Sequence, residues 1–184
     1  MAGRLLKSCR ASHRSGHSRM YFCRPEHASD AAVIRVILES AFPSAAEARL
    51  VDALRASSRL AVSMIAADVS GPVGHIAFSP VTVGHATGLG LAPMAVLPAH
   101  QNKGVGALLV REGLACCMQV GCGFVVVLGE PEYYGRFGFA RASNYGLDNE
   151  YGADEAFMAL ELQPGSLPAA GGLVRYAPEF ALVG

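Results

Sequence analysis

The run His100-Gln101-Asn102-Lys103-Gly104-Val105-Gly106 is where residue types and spacing say most about chemistry in this 184-residue chain. It lies between an apolar segment ending at Leu97 and a helical pattern running to Val120. Backbone N–H groups that open a helix have no intrahelical acceptors and sit at the positive end of its dipole, so such a loop attracts an anion. Gly104 and Gly106 would let a pyrophosphate approach the backbone without meeting a Cβ, and Lys103 adds a point charge at the mouth. The run has neither the Gly-x-x-x-x-Gly-Lys-Ser/Thr of nucleotide hydrolases nor the Gly-x-Gly-x-x-Gly of dinucleotide-binding folds. On spacing alone, a tight connection between strand and helix explains the two glycines as well as phosphate binding does.

The elements that must hold this loop follow from hydrophobic periodicity. After Ser29 or Asp30 as an N-cap, Val33, Ile34, Ile37, Leu38, Ala41 and Phe42 recur at helical spacing until Pro43 stops the run. Ser44 and Glu47 read as a capping box for a second helix whose face is Leu50, Val51 and Leu54. Leu60 to Ala67 and Val73 to Val81 are apolar runs separated by turn residues, which predicts a β-hairpin. Leu89 to Leu97, closed by Pro98, reads as a central strand, and Gly104 to Val120 as a helix ended by Gly121. Phe124 to Leu128 completes a strand–helix–strand crossover. A short helix around Pro131 to Arg136, a strand from about Gly138, and strands at Ala156 to Leu162 and Leu173 to Tyr176 finish the order. The fold class is α+β with one mixed sheet and one crossover helix.

Composition bounds the function. At about 150 residues per domain the chain is one domain with an extension, and 52% hydrophobic with 16% charged residues excludes disorder and a disulfide scaffold. From Val69 to Asn102 no Asp, Glu, Lys or Arg occurs, yet glycines and prolines punctuate the stretch, which predicts buried strands and not a membrane helix. Six bases, Arg4, Lys7, Arg10, Arg14, Arg19 and Arg24, precede the first acid, Glu26; nine bases against 15 acids leave the body at −6. That balance argues against a nucleic-acid-binding body. The arm has the composition of a transit peptide or a nucleic-acid-binding tail, and residues 1–19 are read as a flexible basic extension to a single domain at 20–184. Cys9, Cys23, Cys116, Cys117 and Cys122 form no Cys-x-x-Cys pair or even framework, so packed thiols in a reducing cytoplasm are expected, with no metal.

Two segments in order carry a resemblance. Leu91-Ala92-Pro93-Met94-Ala95-Val96-Leu97-Pro98-Ala99-His100-Gln101-Asn102-Lys103-Gly104-Val105-Gly106 resembles the acetyl-CoA-binding segment of the GNAT superfamily of N-acetyltransferases, matching its Q/R-x-x-G-x-G/A motif in full. Leu128-Gly129-Glu130-Pro131-Glu132-Tyr133-Tyr134-Gly135-Arg136-Phe137-Gly138-Phe139 resembles the family's YY-x-R-F-G-F segment after the fifth strand. The resemblance spans Tyr21 to Tyr176 and is strongest to bacterial predicted acetyltransferases. It implies a mixed, mostly antiparallel central sheet flanked by helices and splayed between the fourth and fifth strands, with acetyl-CoA as acyl donor in the splay. Backbone groups of Met94 and Val96 would pair with pantetheine as an added strand does. Gln101, Asn102, Lys103, Gly104, Val105, Gly106 and Ala107 would hold the pyrophosphate, and Ala95 and Tyr133 also join the cofactor site.

Acetyl transfer to an amine needs a neutral amine, a polarised carbonyl and a proton for the departing thiolate. The resemblance gives the proton to Tyr134, whose phenol stays protonated at neutral pH; the plainer reading is a tyrosine that only packs and binds the cofactor. A backbone amide near Ala95 would polarise the carbonyl. Candidate bases are Glu130, Glu132, His75, His85 and His100, none at a fixed family position, with a water-borne proton path beside them. The family's usual Asn after the fifth strand is replaced by Gly129-Glu130. Asp148, Glu150, Asp154 and Glu155 form an acidic cluster able to attract a cationic amine or to sit as a solvated loop. The acceptor stays open among a small amine, an amino acid, an aminoglycoside-like polyamine, and a protein N-terminus or lysine. The competing functions are a non-catalytic acyl-CoA sensor of the same fold, an interaction protein recruited through its arm, and a nucleotide-dependent enzyme.

Overall fold

The computed structural model describes residues 20–183. The basic arm, residues 1–19, lies outside the described residues. Strand β1 (Phe22–Pro25) is followed by helices α1 (Ala31–Ala41) and α2 (Ala46–Ala56), then by strands β2 (Val62–Asp68), β3 (Gly71–Val83) and β4 (Ala86–Val96). Helix α3 (Val105–Gln119) leads to β5 (Phe124–Leu128), and α4 (Pro131–Tyr134) runs into a 3-10 turn at Gly135–Phe137. Strands β6 (Ala140–Arg141), β7 (Leu147–Asn149), β8 (Phe157–Glu161) and β9 (Gly172–Val174) complete the order.

Seven strands make one sheet in the order β1-β2-β3-β4-β5-β8-β6. All neighbours are antiparallel except β4 and β5, which are parallel because α3 carries the chain across between them. The expected mixed, mostly antiparallel sheet with one crossover is therefore the observed fold. Its core has two faces. Leu109, Val110 and Leu114 of α3 pack with Met64, Ile76 and Phe78 on one side, and Ile34, Ile37, Leu38 and Val51 of α1 and α2 pack with Ile65 and Ala95 on the other.

The splay has a visible cause. In the β3–β4 ladder Ile76 faces Met94 while Phe78 faces Leu91, so Ala92 and Pro93 together oppose Ala77 as a bulge. Pro93 has no N–H to give to a ladder. Parallel pairing with β5 covers only Leu89–Leu91 against Val125–Val127 and stops there. From Ala92 to Val96, β4 continues alone along its β5 side.

Several expected elements differ in detail. Ser44 Oγ accepts the Ala46 N–H at 3.1 Å, but Glu47 does not close the box; its side chain turns instead into a cavity described below. Asp30 caps nothing in α1: its carboxylate takes the His27 N–H at 2.7 Å and both Arg24 terminal nitrogens at 2.6 and 2.9 Å. The segment at Leu173 pairs with β7, which the sequence did not announce, in a separate two-stranded parallel sheet. Among the described residues no helix is long and apolar enough to cross a membrane.

Candidate active site

The open edge of β4 is the first component. Leu97 donates its N–H to Val73 O at 2.9 Å. Hydrogen bonding alternates along an antiparallel ladder, so Ala95 also faces β3, whereas Met94 and Val96 turn their N–H and C=O groups toward the splay. The Val96 carbonyl there accepts Gln101 Nε2 at 3.0 Å.

The loop after β4 supplies the second. Asn102 (φ 57°) and Gly104 (φ 83°) are both left-handed, a backbone that Asn tolerates and Gly adopts freely, and this curls the turn so that successive N–H groups point inward. The α3 ladder begins with Leu108 N–H to Gly104 O at 3.0 Å, which leaves the N–H groups of Val105, Gly106 and Ala107 without helical acceptors.

These parts border one cavity of about 880 Å³. Its lining includes Met94, Ala95 and Val96 from the strand, and Gln101, Asn102, Gly104, Gly106 and Ala107 from the loop. Ala41 and Phe42 at the end of α1, and Glu130, Glu132, Tyr133 and Arg136 opposite, close it. Two of the expected loop residues lie outside the lining. Lys103 folds its ammonium back onto Ala99 O at 2.5 Å, and the Val105 side chain is buried in the core beneath α3.

The two tyrosines of α4 part company. Tyr133 reaches over the loop, so closely that a Cβ on Gly106 would lie 2.6 Å from its hydroxyl oxygen. Arg136 stacks on the Tyr133 ring at 4.5 Å and donates Nε to Tyr133 O at 3.2 Å. Burial raises the Tyr133 phenol pKa, while Arg136 and Arg111 oppose that rise. Tyr134 is 8% exposed and stands edge-on to Tyr133 and Phe139 at 5.1 and 5.7 Å. Its ring covers Gly129, where a Cβ would lie 2.3 Å from Cε2, and this is why no Asn side chain can occupy that position. Burial, then the neighbouring Tyr133, pushes the Tyr134 pKa up to about 12, so the phenol is protonated at neutral pH.

Tyr134 faces a second cavity of about 430 Å³, with Glu47, Leu128, Tyr151, Tyr176 and Phe180 also in its lining. Phe42 and Met94 line both cavities and so mark where they meet.

The candidate bases separate just as clearly. His75 is fully buried, 2.9 Å from Ser63 Oγ and 3.8 Å from Glu26, and burial lowers its pKa despite Glu26; it lines neither cavity. His100 is held behind the loop by Tyr21 at 3.2 Å and Asp68 at 3.8 Å, and His85 is exposed in the β3–β4 turn. Glu130 and Glu132 alone of the five reach the large cavity. Three of the four acids of the cluster have structural partners: Glu150 takes Arg175 and the Tyr176 N–H, Glu155 takes Arg141, and Asp148 takes the Asn149 N–H, while Asp154 is exposed. Cys23 is pushed up to about 12 by burial first and Glu112 second, and burial likewise raises Cys116, Cys117 and Cys122, so these four are inert packed thiols. Glu47 and Arg136 are the site residues that sequence reasoning passed over. Arg136 was in view within its motif, and Glu47 was assigned to a helix cap.

Comparison with known proteins bears on this geometry. The family model for the acetyltransferase (GNAT) domain matches residues 60–141. The chain is 38% identical over 161 residues to the uncharacterized N-acetyltransferase YhbS of Escherichia coli K12, covering 85% of this chain and 96% of that protein. It is 36% identical over 152 residues to the uncharacterized N-acetyltransferase YjhQ of the same organism, covering 76% and 84%. Among solved structures, that of YhbS in complex with CoA superposes with a TM-score of 0.86 at 35% identity, over 92% of this chain and 96% of that one. A GNAT family acetyltransferase from Brucella melitensis in complex with acetyl-CoA gives 0.74 at 38% identity, over 88% and 99%.

Proposed function

This chain belongs to the GNAT family of acetyltransferases, and from that premise we propose that it moves an acetyl group from acetyl-CoA to a primary amine by direct attack in a ternary complex. One observation carries the reading: the unpaired β4 edge at Met94 and Val96 and the free N–H groups opening α3 border the same cavity. An extended chain with amides at one end and phosphates at the other fits that sequence of partners. Met94 and Val96 bind pantetheine as an added strand would, with Gln101 yielding the Val96 carbonyl. The N–H groups of Gly104 to Ala107 take the pyrophosphate at the positive end of α3, and Arg136 adds charge on the far wall.

The chemistry follows from the residues at the junction of the two cavities. The Met94 N–H, directed into the splay, replaces the Ala95 N–H as carbonyl-polarising donor, because Ala95 faces β3. Tyr134 keeps its proton at neutral pH and gives it to the departing sulfur. The domain starts at residue 20, functions in the cytoplasm and requires no metal on this reading.

Thermal unfolding in separate samples of acetyl-CoA, CoA, NAD and ATP tests the ligand, since one that binds only the native state raises the midpoint by mass action. A rise with the two CoA species alone is expected; a larger rise with NAD or ATP would overturn the assignment. Tyr134→Phe then separates enzyme from sensor. Turnover should fall by roughly 10²- to 10⁴-fold with acetyl-CoA affinity held, and unchanged turnover would remove Tyr134 from the mechanism.

A further inference from the structure

The second cavity has a lining unlike the first. Among the described residues around it Glu47 alone is charged, and the remainder are apolar or aromatic. The Tyr151 and Tyr176 rings lie 5.7 Å apart and those of Tyr176 and Phe180 4.9 Å apart, which makes one continuous aromatic wall. Two polar atoms of its lining residues, Glu47 Oε2 and Tyr176 Oη, are buried with no hydrogen-bond partner. A carboxylate oxygen held away from both water and donors destabilises the fold, and it is kept where a ligand completes it.

We infer that this cavity receives the acetyl acceptor, a small monoamine whose ammonium group meets Glu47 and whose arylalkyl body lies against Tyr151, Tyr176 and Phe180. The inference rests on the acetyl transfer proposed above. One carboxylate balances one ammonium group, whereas a polyamine would bring further cations to an apolar wall with nothing to pair them. A cavity of about 430 Å³ is in the range of small-ligand pockets, and the aromatic faces pack well against a ring. Its meeting with the large cavity at Phe42 and Met94 puts the amine next to the thioester end of the donor site.

Glu47 takes one proton from the bound ammonium, which leaves a neutral nitrogen lone pair. That lone pair forms the C–N bond as the C–S bond breaks. The sulfur leaves with the phenolic proton of Tyr134, the second nitrogen proton returns to the phenol through water, and Glu47 releases its proton to solvent.

The test measures thiol release by the full chain with 2-phenylethylamine, spermidine and a lysine-containing peptide, alongside calorimetric titration of 2-phenylethylamine into CoA-saturated protein. 2-Phenylethylamine is expected to exceed the other two in kcat/KM by at least about tenfold. Glu47→Gln should weaken amine binding and raise its KM by roughly 10- to 100-fold, the loss of one charged hydrogen bond, lower kcat because the proton acceptor is gone, and leave the acetyl-CoA KM unchanged. Its thermal midpoint should equal or exceed that of the parent, because an unpaired buried charge is gone, whereas a Glu with a structural role would lower it. Glu47→Asp should retain more affinity than Glu47→Gln. Preference for spermidine or the peptide, or amine binding indifferent to Glu47→Gln, overturns the inference while leaving acetyl transfer intact. Binding of 2-phenylethylamine that depends on Glu47, with no thiol release from any amine, overturns acetyl transfer and with it the acceptor role of the cavity, whose amine binding alone would stand.

Discussion

Gly129 gives the sharpest test of how α4 is set. Its N–H is pinned to Ala156 O at 2.9 Å, so the backbone has little room to retreat. A methyl group there would lie 2.3 Å from Tyr134 Cε2 and 2.9 Å from Cδ2. Carbon atoms settle at about 3.5 Å or more, so in Gly129→Ala the ring must move by more than about an ångström. It would then press on Tyr133 and Phe139, which stand edge-on to it. Overpacking of this kind costs about 1–3 kcal/mol in stability. An ångström of displacement at a reacting group lowers turnover by roughly 10²-fold. Denaturant titration reads the first quantity and thiol release at saturating acetyl-CoA the second. The stability loss should shrink in a Tyr134→Leu background, where the colliding ring atoms are gone, and the kinetic loss should vanish in a Tyr134→Phe background, where the proton donor is already absent. Full turnover in Gly129→Ala, or kinetic losses that multiply in the double variant with Tyr134→Phe, would refute the claim that Gly129 acts by seating Tyr134.

Gly106→Ala, by pushing Tyr133 off the loop, should weaken acetyl-CoA binding about tenfold by calorimetry with little loss of fold; unchanged affinity would detach Tyr133 from the donor site. Glu26 titrates abnormally: burial alone would raise its pKa, but the His75 ring 3.8 Å away and hydrogen bonds from Arg55 and Ser63 outweigh it and hold the value at about 2. A carboxylate depressed in the folded state stabilises fully above its unfolded pKa near 4.5 and loses that contribution as pH falls toward 2. Stability should therefore drop over that window by about 3 kcal/mol before, and about 2 kcal/mol after, allowance for solvent screening of a half-buried group, and Glu26→Gln should flatten the drop; parallel curves for the two proteins would contradict the assignment. Removal of residues 1–19 should leave the acetyl-CoA-induced thermal shift unchanged, and its loss would move the domain boundary toward the N-terminus.

The loop between β4 and α3 was legible because Gly104 and Gly106 sit where a strand hands over to a helix, and that position is itself a pattern in sequence. The sheet was legible for the same kind of reason, since Val73 to Val81 and Leu89 to Leu97 are long and apolar. Strand β1 was not, because Phe-Cys-Arg-Pro has no periodicity of its own and takes its order from pairing with β2. Glu47 shows a different limit. Serine followed by glutamate three residues later is identical in sequence whether the carboxylate turns back to the helix end or outward into a cavity, and only the space around it decides. Likewise Gly129 read as a missing Asn until the Tyr134 ring was found resting on it. The ion pairing of Glu150 was not legible, because its partners Arg175 and Tyr176 lie 25 and 26 residues along the chain.

The bulge opposite Ala77 resets the phase of β4. Before it, Leu89 and Leu91, at odd positions, pack toward α3; after it, Met94 and Val96, at even positions, do so, and Ala95 packs toward α1 and α2. One inserted residue thus uncouples the half of the strand that builds the sheet from the half that meets a ligand. The bulge can be removed by shortening the strand at Ala92 and Pro93, without re-registering β1 to β3. Deleting one residue there would set the remaining one opposite Ala77 and keep Phe78 against Leu91 and Ile76 against Met94, so Met94 and Val96 would still turn their N–H groups outward. For a sheet whose other strands are locked by their neighbours, this is a site where a change of length would alter the local twist of the open edge while the register of the rest stays fixed.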